Sequence, residues 1–459
     1  MDVEECLKAI DGELISGISE KVFRGVSIDS RTLKKDELFI CIRGDRFDGH
    51  DFIEEAKNKK AAAVVLSDSG NEALKREEIP VIVRVDDTLE ALQELARFHR
   101  RKMSVRVVGI TGTNGKSTTK EMTAAITEKK FKTVKTKGNL NNHIGLPLSI
   151  FHISKNDEVA VVEMGMSASG EIKRLAEIAQ PQIAVLTNIT EGHMVELRTL
   201  KDVQAAKGEL YESLDDQGIA IVNADDPLVL ELAKYVRGKV VTYGINNKAD
   251  VKVEGIRSMG KQGFNLNVHF YKEKIPVFLP FLGECNIYNA LAAMATGCSL
   301  GMAPKDIQDG LRNAKLLPSR YEIVEYEGMI IINDSYNANP RSMQEALKTL
   351  TGYQCEGRRF FVVGDMLELG DLAESAHMKL GVDVARSSID YLVSVGSLST
   401  GVVESAVASG MNKKYTATAL DHKCAVSFLK KYARPGDCLL VKGSRGSRME
   451  KVVGDFIAS

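Results

Sequence analysis

Val107-Val108-Gly109-Ile110-Thr111-Gly112-Thr113-Asn114-Gly115-Lys116-Ser117-Thr118 is the stretch on which the reading of this chain turns. The apolar run 105–110 has the composition of a buried strand, and a helix is expected to open at about Lys116. Strand, glycine-bearing loop and helix in that order are what a phosphate-holding loop requires. Gly112 and Gly115 let the backbone curl so that successive N–H groups point at phosphate oxygens. The helix N-terminus adds its positive dipole end, and Lys116 adds a full charge. Ser117 can place a hydroxyl on Mg2+, and Thr118 can reach another phosphate oxygen. The strict pattern has glycine five positions before Gly115, where Ile110 stands. The shortened Gly-x-x-Gly-Lys-Ser could also be a helix cap with a surface lysine. The order of elements favours the phosphate loop, and with it a reaction driven by ATP.

Outward from the loop, a repeat of apolar strand, loop and helix sets the fold class as α/β. Runs 159–163, 183–187 and 219–223 look like parallel neighbours of 105–110, and helices such as 201–214 suit the crossovers. The segment 250–280 reads as antiparallel, with alternation over 264–270. Upstream, short β-rich runs at 22–28, 37–42, 61–66 and 80–85 alternate with helical patterns such as 52–58. The run 89–101 is an amphipathic helix with Leu92, Leu95, Ala96 and His99 on one face. After Leu316-Leu317-Pro318 a new set begins at 329–333, 360–363, 392–395 and 438–441, a third α/β unit with its own core. Division near residues 86 and 317 gives domains 1–86, 87–316 and 317–459.

Composition agrees with a multidomain globular chain. At 459 residues it is too long for one ordinary core, and 44% hydrophobic with 27% charged residues is a globular balance. The formal net charge of −1 points to neither a nucleic-acid backbone nor an anionic membrane. No apolar run approaches a membrane span, and 1–10 carries Asp2, Glu4 and Glu5 rather than a signal-peptide core. Seven cysteines without a Cys-x-x-Cys pair argue for reduced thiols in a cytoplasmic protein. Eight histidines show no ligand spacing for a dedicated transition-metal site.

Two further positions follow from the sheet. Glu163 closes a predicted parallel strand at its C-terminal end, where ligands of open α/β sheets bind, and its carboxylate suits Mg2+. The plainer reading, a cap for the turn 165–170, is the weaker of the two. His193 follows the end of the next strand, Thr187-Asn188, and is balanced between a structural role and a ligand. Lys207, in Ala-Ala-Lys-Gly-Glu on a helix, would by itself be a solvated lysine.

Taken together, the loop 111–118, Glu163, Asn188 with His193, and Ala206-Lys207 resemble the Mur ligases, ATP-dependent enzymes that add amino acids to a cell-wall precursor. The resemblance extends over nearly the whole chain through 138–147, 333–340, 364–370 and 442–447, which look like segments of the branch that adds D-alanyl-D-alanine. It implies three domains: a small α/β domain for the UDP-linked substrate, a central parallel-sheet ATPase domain, and a Rossmann-like C-terminal domain for the incoming dipeptide. It implies ATP and Mg2+, UDP-N-acetylmuramoyl-tripeptide and D-alanyl-D-alanine as substrates, a bacterial cytoplasmic setting, and a monomer. By position, Thr111, Gly112, Thr113, Asn114, Gly115, Lys116, Ser117 and Thr118 would hold ATP, helped by Asn286, Asn289, Arg320 and Asp334. Ser117, Glu163, His193 and Lys207 match the metal positions, Lys207 as a carbamate. Lys116, Glu163, His193, Lys207 and Arg320 would be catalytic. Ser27, Asp29, Ser30, Arg31, Gly44, Phe47, Asn139, Asn141 and Asn142 match the UDP-substrate segments, and Asn337 and Asn339 the dipeptide. Cys285 stands where the nucleotide-contacting motif usually has histidine.

Plainer readings stand beside several of these. Asp48 and Asp51 could cap the helix near 52, Asp29 could form an Asx-turn, and Asn337 and Asn339 before Pro340 could shape a helix start. Folylpolyglutamate synthetase or another Mur ligase would share the loop and the amide chemistry. A nucleotide-gated module that ligates nothing is a reading from a different class.

Overall fold

The computed structural model describes residues 1–44, 46–67, 81–191, 196–270 and 273–458. The chain forms two compact units, Met1–Gly109 with Phe131–Gly165 and Glu171–Gln182, and Ile110–Lys130 with Met166–Gly170 and Ile183–Ser459. It therefore passes from one unit to the other at 109/110, 130/131, 165/166, 170/171 and 182/183.

In the first unit, the strands Val26–Ser27, Leu38–Ile40, Ala63–Leu66 and Ile82–Arg84 pair in parallel, and Glu13–Ser16 closes the edge antiparallel to Ile82–Arg84. Only Val26–Ser27 of the expected run 22–28 is a strand, because the backbone before it bonds to the N-terminal segment instead, Phe23 N–H donating to Met1 O. The expected helix 52–58 begins as a 3-10 turn, Gly49–Phe52, before Ile53–Asn58. Thr88–Arg101 is the amphipathic helix, capped by Asp87 and burying Ala91, Leu92, Leu95 and Ala96. Its Arg100 is buried and donates to the carbonyls of Ala179, Gln180, Met103 and Val105, so one guanidinium satisfies four backbone acceptors. Val159–Glu163 is buried along its whole length and pairs in parallel with Thr133–Lys135.

In the second unit, Ile183–Leu186, Ile219–Asn223, Lys239–Gly244 and Val251–Ser258 lie side by side in parallel. Phe264–Phe270 and Glu273–Leu279 then extend the sheet antiparallel, as the alternation predicts. The six strands from Glu322 onward form a separate sheet. Met329–Asp334, Cys438–Lys442, Arg359–Gly364, Tyr391–Val395 and Thr416–Ala419 are parallel in that spatial order, with Glu322–Tyr326 antiparallel at one edge. Each face of this sheet has its own apolar core, one around Ile332, Phe361 and Leu440, the other around Phe360, Val362 and Leu439. Residues i and i+1 facing opposite ways is the period of two that the sequence pattern shows. Among the described residues no helix is long and apolar enough to cross a membrane.

Candidate active site

The strand Arg106–Thr111 is buried from Val107 onward and feeds the loop 112–115, after which the helix Lys116–Thr127 begins. Both glycines are required by contact as well as by conformation. Gly112 (φ 144°) would place a Cβ 1.9 Å from Thr187 Oγ1, and Gly115 (φ 83°) one 2.2 Å from Asn289 Oδ1. The loop is fastened to the end of the neighbouring strand. Thr113 N–H donates to Asn188 O at 2.9 Å and Asn114 N–H to Asn188 Oδ1 at 3.0 Å. Asn188 Nδ2 and Thr187 Oγ1 both donate to Asn114 O, at 3.0 and 2.6 Å. Lys116 folds back over the loop, its Nζ donating to Gly112 O at 2.8 Å and Thr113 O at 3.1 Å.

The helix Glu284–Ser299 supplies the next layer. Asn289 Oδ1 accepts from Thr119 Oγ1 at 3.3 Å, its Nδ2 donates to Asn286 Oδ1 at 3.0 Å, and Asn286 Nδ2 donates to Leu282 O at 2.7 Å. All three links are buried, so the two asparagines act as a strut under the start of the phosphate-loop helix. Burial pushes the Cys285 thiol up to about 12, so it is uncharged at neutral pH.

Arg320 reaches the same loop, its Nη2 donating to Ser117 Oγ at 3.1 Å. Its guanidinium lies 4.0 Å from the Tyr336 ring centroid, and its buried Nε has no hydrogen-bond partner among the described residues. The backbone on either side is strained: Ser319 and Tyr321 sit at φ 61° and 52°, left-handed values that non-glycine residues avoid. Asn339 also touches the loop, its Nδ2 donating to Asn114 Oδ1 at 2.8 Å. It simultaneously caps the helix Pro340–Gly352 by accepting from Ser342 N–H at 2.9 Å, so the helix-start reading holds. Asn337 accepts from Arg445 N–H at 3.4 Å.

Lys207 is 1% exposed on the helix Leu200–Glu212, and burial, then the charge of Lys116, lowers its amine well below the usual lysine range. Two residues on, Glu209 accepts from Gly170 N–H at 2.7 Å and from Ser169 Oγ at 3.3 Å, tying down the turn 166–170. His193 lies outside the described residues.

Asp334 is buried and forms an ion pair with Lys442 at 2.6 Å. Burial raises its carboxyl, and Lys442 and then Arg320 pull against that rise. The stretch 442–447 stands out in the sequence, but nothing within it gives Lys442 a role. Opposite charges of one buried pair 108 positions apart leave no local spacing to read.

The first unit holds the remaining predicted residues. Glu163, 2% exposed, accepts from Asn141 Nδ2 at 2.8 Å, and its backbone N–H donates to Thr136 Oγ1 at 3.1 Å. Asn142 Oδ1 accepts from Gly145 N–H at 2.8 Å, starting the helix Gly145–Ile150, and Asn139 O accepts from Asn141 N–H. Asp29 does form the Asx-turn, accepting from Arg31 N–H at 3.0 Å, and its carboxylate also grips the Arg31 guanidinium. The Arg31 hydrogen bonds hold the Asp29 carboxyl below the usual carboxylate range. Ser27 Oγ donates to Asp29 O, and Ser30 Oγ to Glu55 Oε2 at 2.7 Å. Asp48 caps the 3-10 turn through His50 N–H, Gly44 N–H donates to Phe47 O, and Phe47 is 71% exposed.

The loop between strand and helix, the buried Lys207 and Arg320 beside Ser117 have the form expected of a nucleotide-dependent ligase, and the chain belongs to the Mur ligase family. Models of that family match along it: its catalytic domain at 22–100, its middle domain at 110–297 and its glutamate ligase domain at 319–445. The chain is 38% identical to the UDP-N-acetylmuramoyl-tripeptide–D-alanyl-D-alanine ligase of Bacillus subtilis, over 100% of this chain and 98% of that one. Its fold matches a crystal structure of MurF from Acinetobacter baumannii with a TM-score of 0.90 at 28% identity, covering 100% and 99% of the two chains. MurF from Thermotoga maritima in complex with ADP matches with a TM-score of 0.84 at 27% identity, covering 96% and 99%.

Proposed function

We propose that this enzyme joins D-alanyl-D-alanine to UDP-N-acetylmuramoyl-tripeptide, with ATP cleaved to ADP and phosphate. Full-length identity of 38% to a ligase of that name is the observation that carries the reading. The phosphate loop and its supports are consistent with it. We assign three domains, divided near residues 86 and 317, and place the reaction in the bacterial cytoplasm, carried out by a monomer.

A carboxylate resists attack by an amine, because resonance and negative charge protect its carbon. Transfer of the γ-phosphoryl group to the tripeptide carboxylate gives an acyl phosphate, whose phosphate is a good leaving group. The free amine of D-alanyl-D-alanine then attacks, the amide forms, and phosphate departs with the bonding pair. Protein groups serve mainly to position and to neutralise charge. Lys116 and the N–H groups of 112–117 would hold the phosphates. Arg320, already directed at Ser117, would balance charge on the transferring group. Asn286 and Asn289 brace the helix that follows the loop, and Asp334 would meet the nucleotide from the C-terminal sheet. Asn337 and Asn339 lie on the segment we assign to the dipeptide. Ser27, Asp29, Ser30, Arg31, Gly44, Phe47, Asn139, Asn141 and Asn142 are assigned to the UDP-substrate.

The donors also suit a divalent cation. The Ser117 hydroxyl and Glu163 carboxylate are hard oxygen ligands of the kind Mg2+ prefers, and we assign His193 and Lys207 to the same role. Bound Mg2+ would screen the negative charge of the triphosphate. Only an uncharged amine reacts with carbon dioxide, so the lowered basicity of Lys207 favours its carbamate, a further anionic oxygen ligand.

The test is phosphate release in the purified protein. It should require ATP, UDP-N-acetylmuramoyl-tripeptide and D-alanyl-D-alanine together. Release with ATP alone at the same rate would make the protein a nucleotide switch, and release with glutamate in place of the dipeptide would make it a different ligase of the family.

A further inference from the structure

Asp334 and Lys442 are register partners at the C-terminal ends of adjacent parallel strands, the edge at which open α/β sheets bind ligands. Lys442 Nζ donates to Asp334 Oδ2 at 2.6 Å and to Asn337 O at 2.9 Å. The next residues continue the stitching. Ser444 Oγ donates to Ala338 O at 3.2 Å, and Arg445 N–H to Asn337 Oδ1 at 3.4 Å. The segment 334–338 is thereby held at four points by 442–445. It is the same segment that sets Tyr336 under Arg320 and leads into Asn339, which contacts Asn114. Two separate contacts to the phosphate loop, from Arg320 and from Asn339, thus share one anchor.

A buried ion pair gains little stability over an apolar pair of the same volume, because both ions lose their hydration. Geometry is the stronger reason to keep one here. A single ammonium that bridges a side-chain carboxylate and a main-chain carbonyl three residues on fixes the direction of both.

We infer that Lys442 is a positioning residue for the nucleotide: it orients Asp334 and locks the segment 334–338, so that Asp334, Arg320 and Asn339 meet the nucleotide in one arrangement. This rests on the assignment of the phosphate loop and Asp334 to ATP made above. Lys442 itself need not touch any substrate.

The groups facing Asp334 are Lys442 and Arg320, which are cationic, and Tyr321 and Cys285, which are neutral. With Lys442 removed, a buried Asp334 keeps Arg320 as its only cationic neighbour among these and takes up a proton more readily. The experiment compares the full-length protein with Lys442→Met, and measures both titration calorimetry with a non-hydrolysable ATP analogue and steady-state kinetics. We expect the analogue Kd and the KM for ATP to rise at least about tenfold, with the KM for the UDP-tripeptide within about twofold of wild type. We also expect kcat/KM for ATP to fall with acidification in Lys442→Met at pH values where wild type is level, and this fall to vanish in the double variant D334N/K442M. If Lys442→Met is insoluble, Lys442→Arg supplies the same reading, because its planar fork cannot occupy the ammonium's position and should weaken nucleotide binding selectively. Unchanged nucleotide affinity in a folded variant overturns the inference, as does an equal rise in all three KM values, which would mean general loosening. Wild-type protein that does not ligate overturns the proposed function instead; analogue binding still tests the inference in that case.

Discussion

Lys116 donates to the carbonyls of Gly112 and Thr113, a pose in which its charge is held at the loop rather than in solvent. Lys116→Ala should lower the ligation rate at least about a thousandfold, as loss of a main charge stabiliser does. Thermal stability should be nearly unchanged, and stopped-time product assays with a melt of the same sample would check both. Lys207→Ala should be inactive for another reason, loss of a carbamate oxygen. Short carboxylic acids added to it should restore part of the rate, and absence of any restoration would count against the modification. Asp48 offers a test that needs no substrate. Burial would raise its carboxyl, but hydrogen bonds from the His50 side chain and backbone and from Arg43 outweigh that and bring it down to about 2. A depressed carboxyl stabilises the fold above its unfolded value of 3.8 and loses that contribution as pH falls through about 2. Solvent screening of this partly exposed carboxylate reduces that contribution to about 1 kcal/mol or less at neutral pH. Asp48→Asn should therefore be less stable than wild type at pH 6 in urea denaturation, with the gap narrowing between about pH 4 and pH 2.

Two helix caps separate stability from function at the level of elements. Asp421 caps His422–Tyr432 by accepting from Cys424 N–H at 2.8 Å, and Asn339 caps Pro340–Gly352 while also reaching Asn114. Replacing either with alanine should lower stability in chemical denaturation, Asn339→Ala by about 1 kcal/mol. Only Asn339→Ala should also raise the KM for ATP. Elements were the most legible level of this chain. The buried strands and the helix 89–101 announce themselves through runs and periods that each segment carries alone. The strand, loop and helix around 111–118 were legible because the apolar run and the two glycines carry that order locally. What escaped depends on distance along the chain. Nothing near Gly112 says that Thr187 fills the space a Cβ would need, nothing near Lys442 says that Asp334 lies beside it, and the strained Ser319 and Tyr321 around Arg320 contain no glycine to mark them. The run 22–28 misled because its residues are apolar enough for a strand, while the N-terminal segment captures its first backbone groups.

On the scale of the molecule, the two compact units carry different predicted ligand groups. Ser27, Asp29, Ser30 and Arg31 belong to the first, and the phosphate loop with Arg320 and Asp334 to the second. Calorimetric unfolding should therefore depart from a single two-state transition. A non-hydrolysable ATP analogue at about a hundred times its Kd should raise the transition of the second unit, by about 2.7 kcal/mol of added stability. The UDP-tripeptide should act first on the other transition. One cooperative melt that both ligands shift alike would show instead that the units unfold as one. Domain order along the chain was legible in the change of pattern after Leu316-Leu317-Pro318. The interleaving of the two units was not, since it depends on which strands find each other.

That interleaving bears on how the protein is made. A ribosome delivers residues 1–109 early, yet the first unit still lacks 131–165 and 171–182, and the second cannot begin to assemble its parallel strands before Ile183. The loop 112–115 emerges between these stages, long before Arg320 and Asn339 exist to contact it. A nascent chain halted before residue 319 would therefore present a loop and helix start tied to Thr187, Asn188 and Asn289 but lacking Arg320 and Asn339, and nucleotide should begin to protect the polypeptide from proteases only after the last parallel strand of the C-terminal sheet, Cys438–Lys442, has been synthesised.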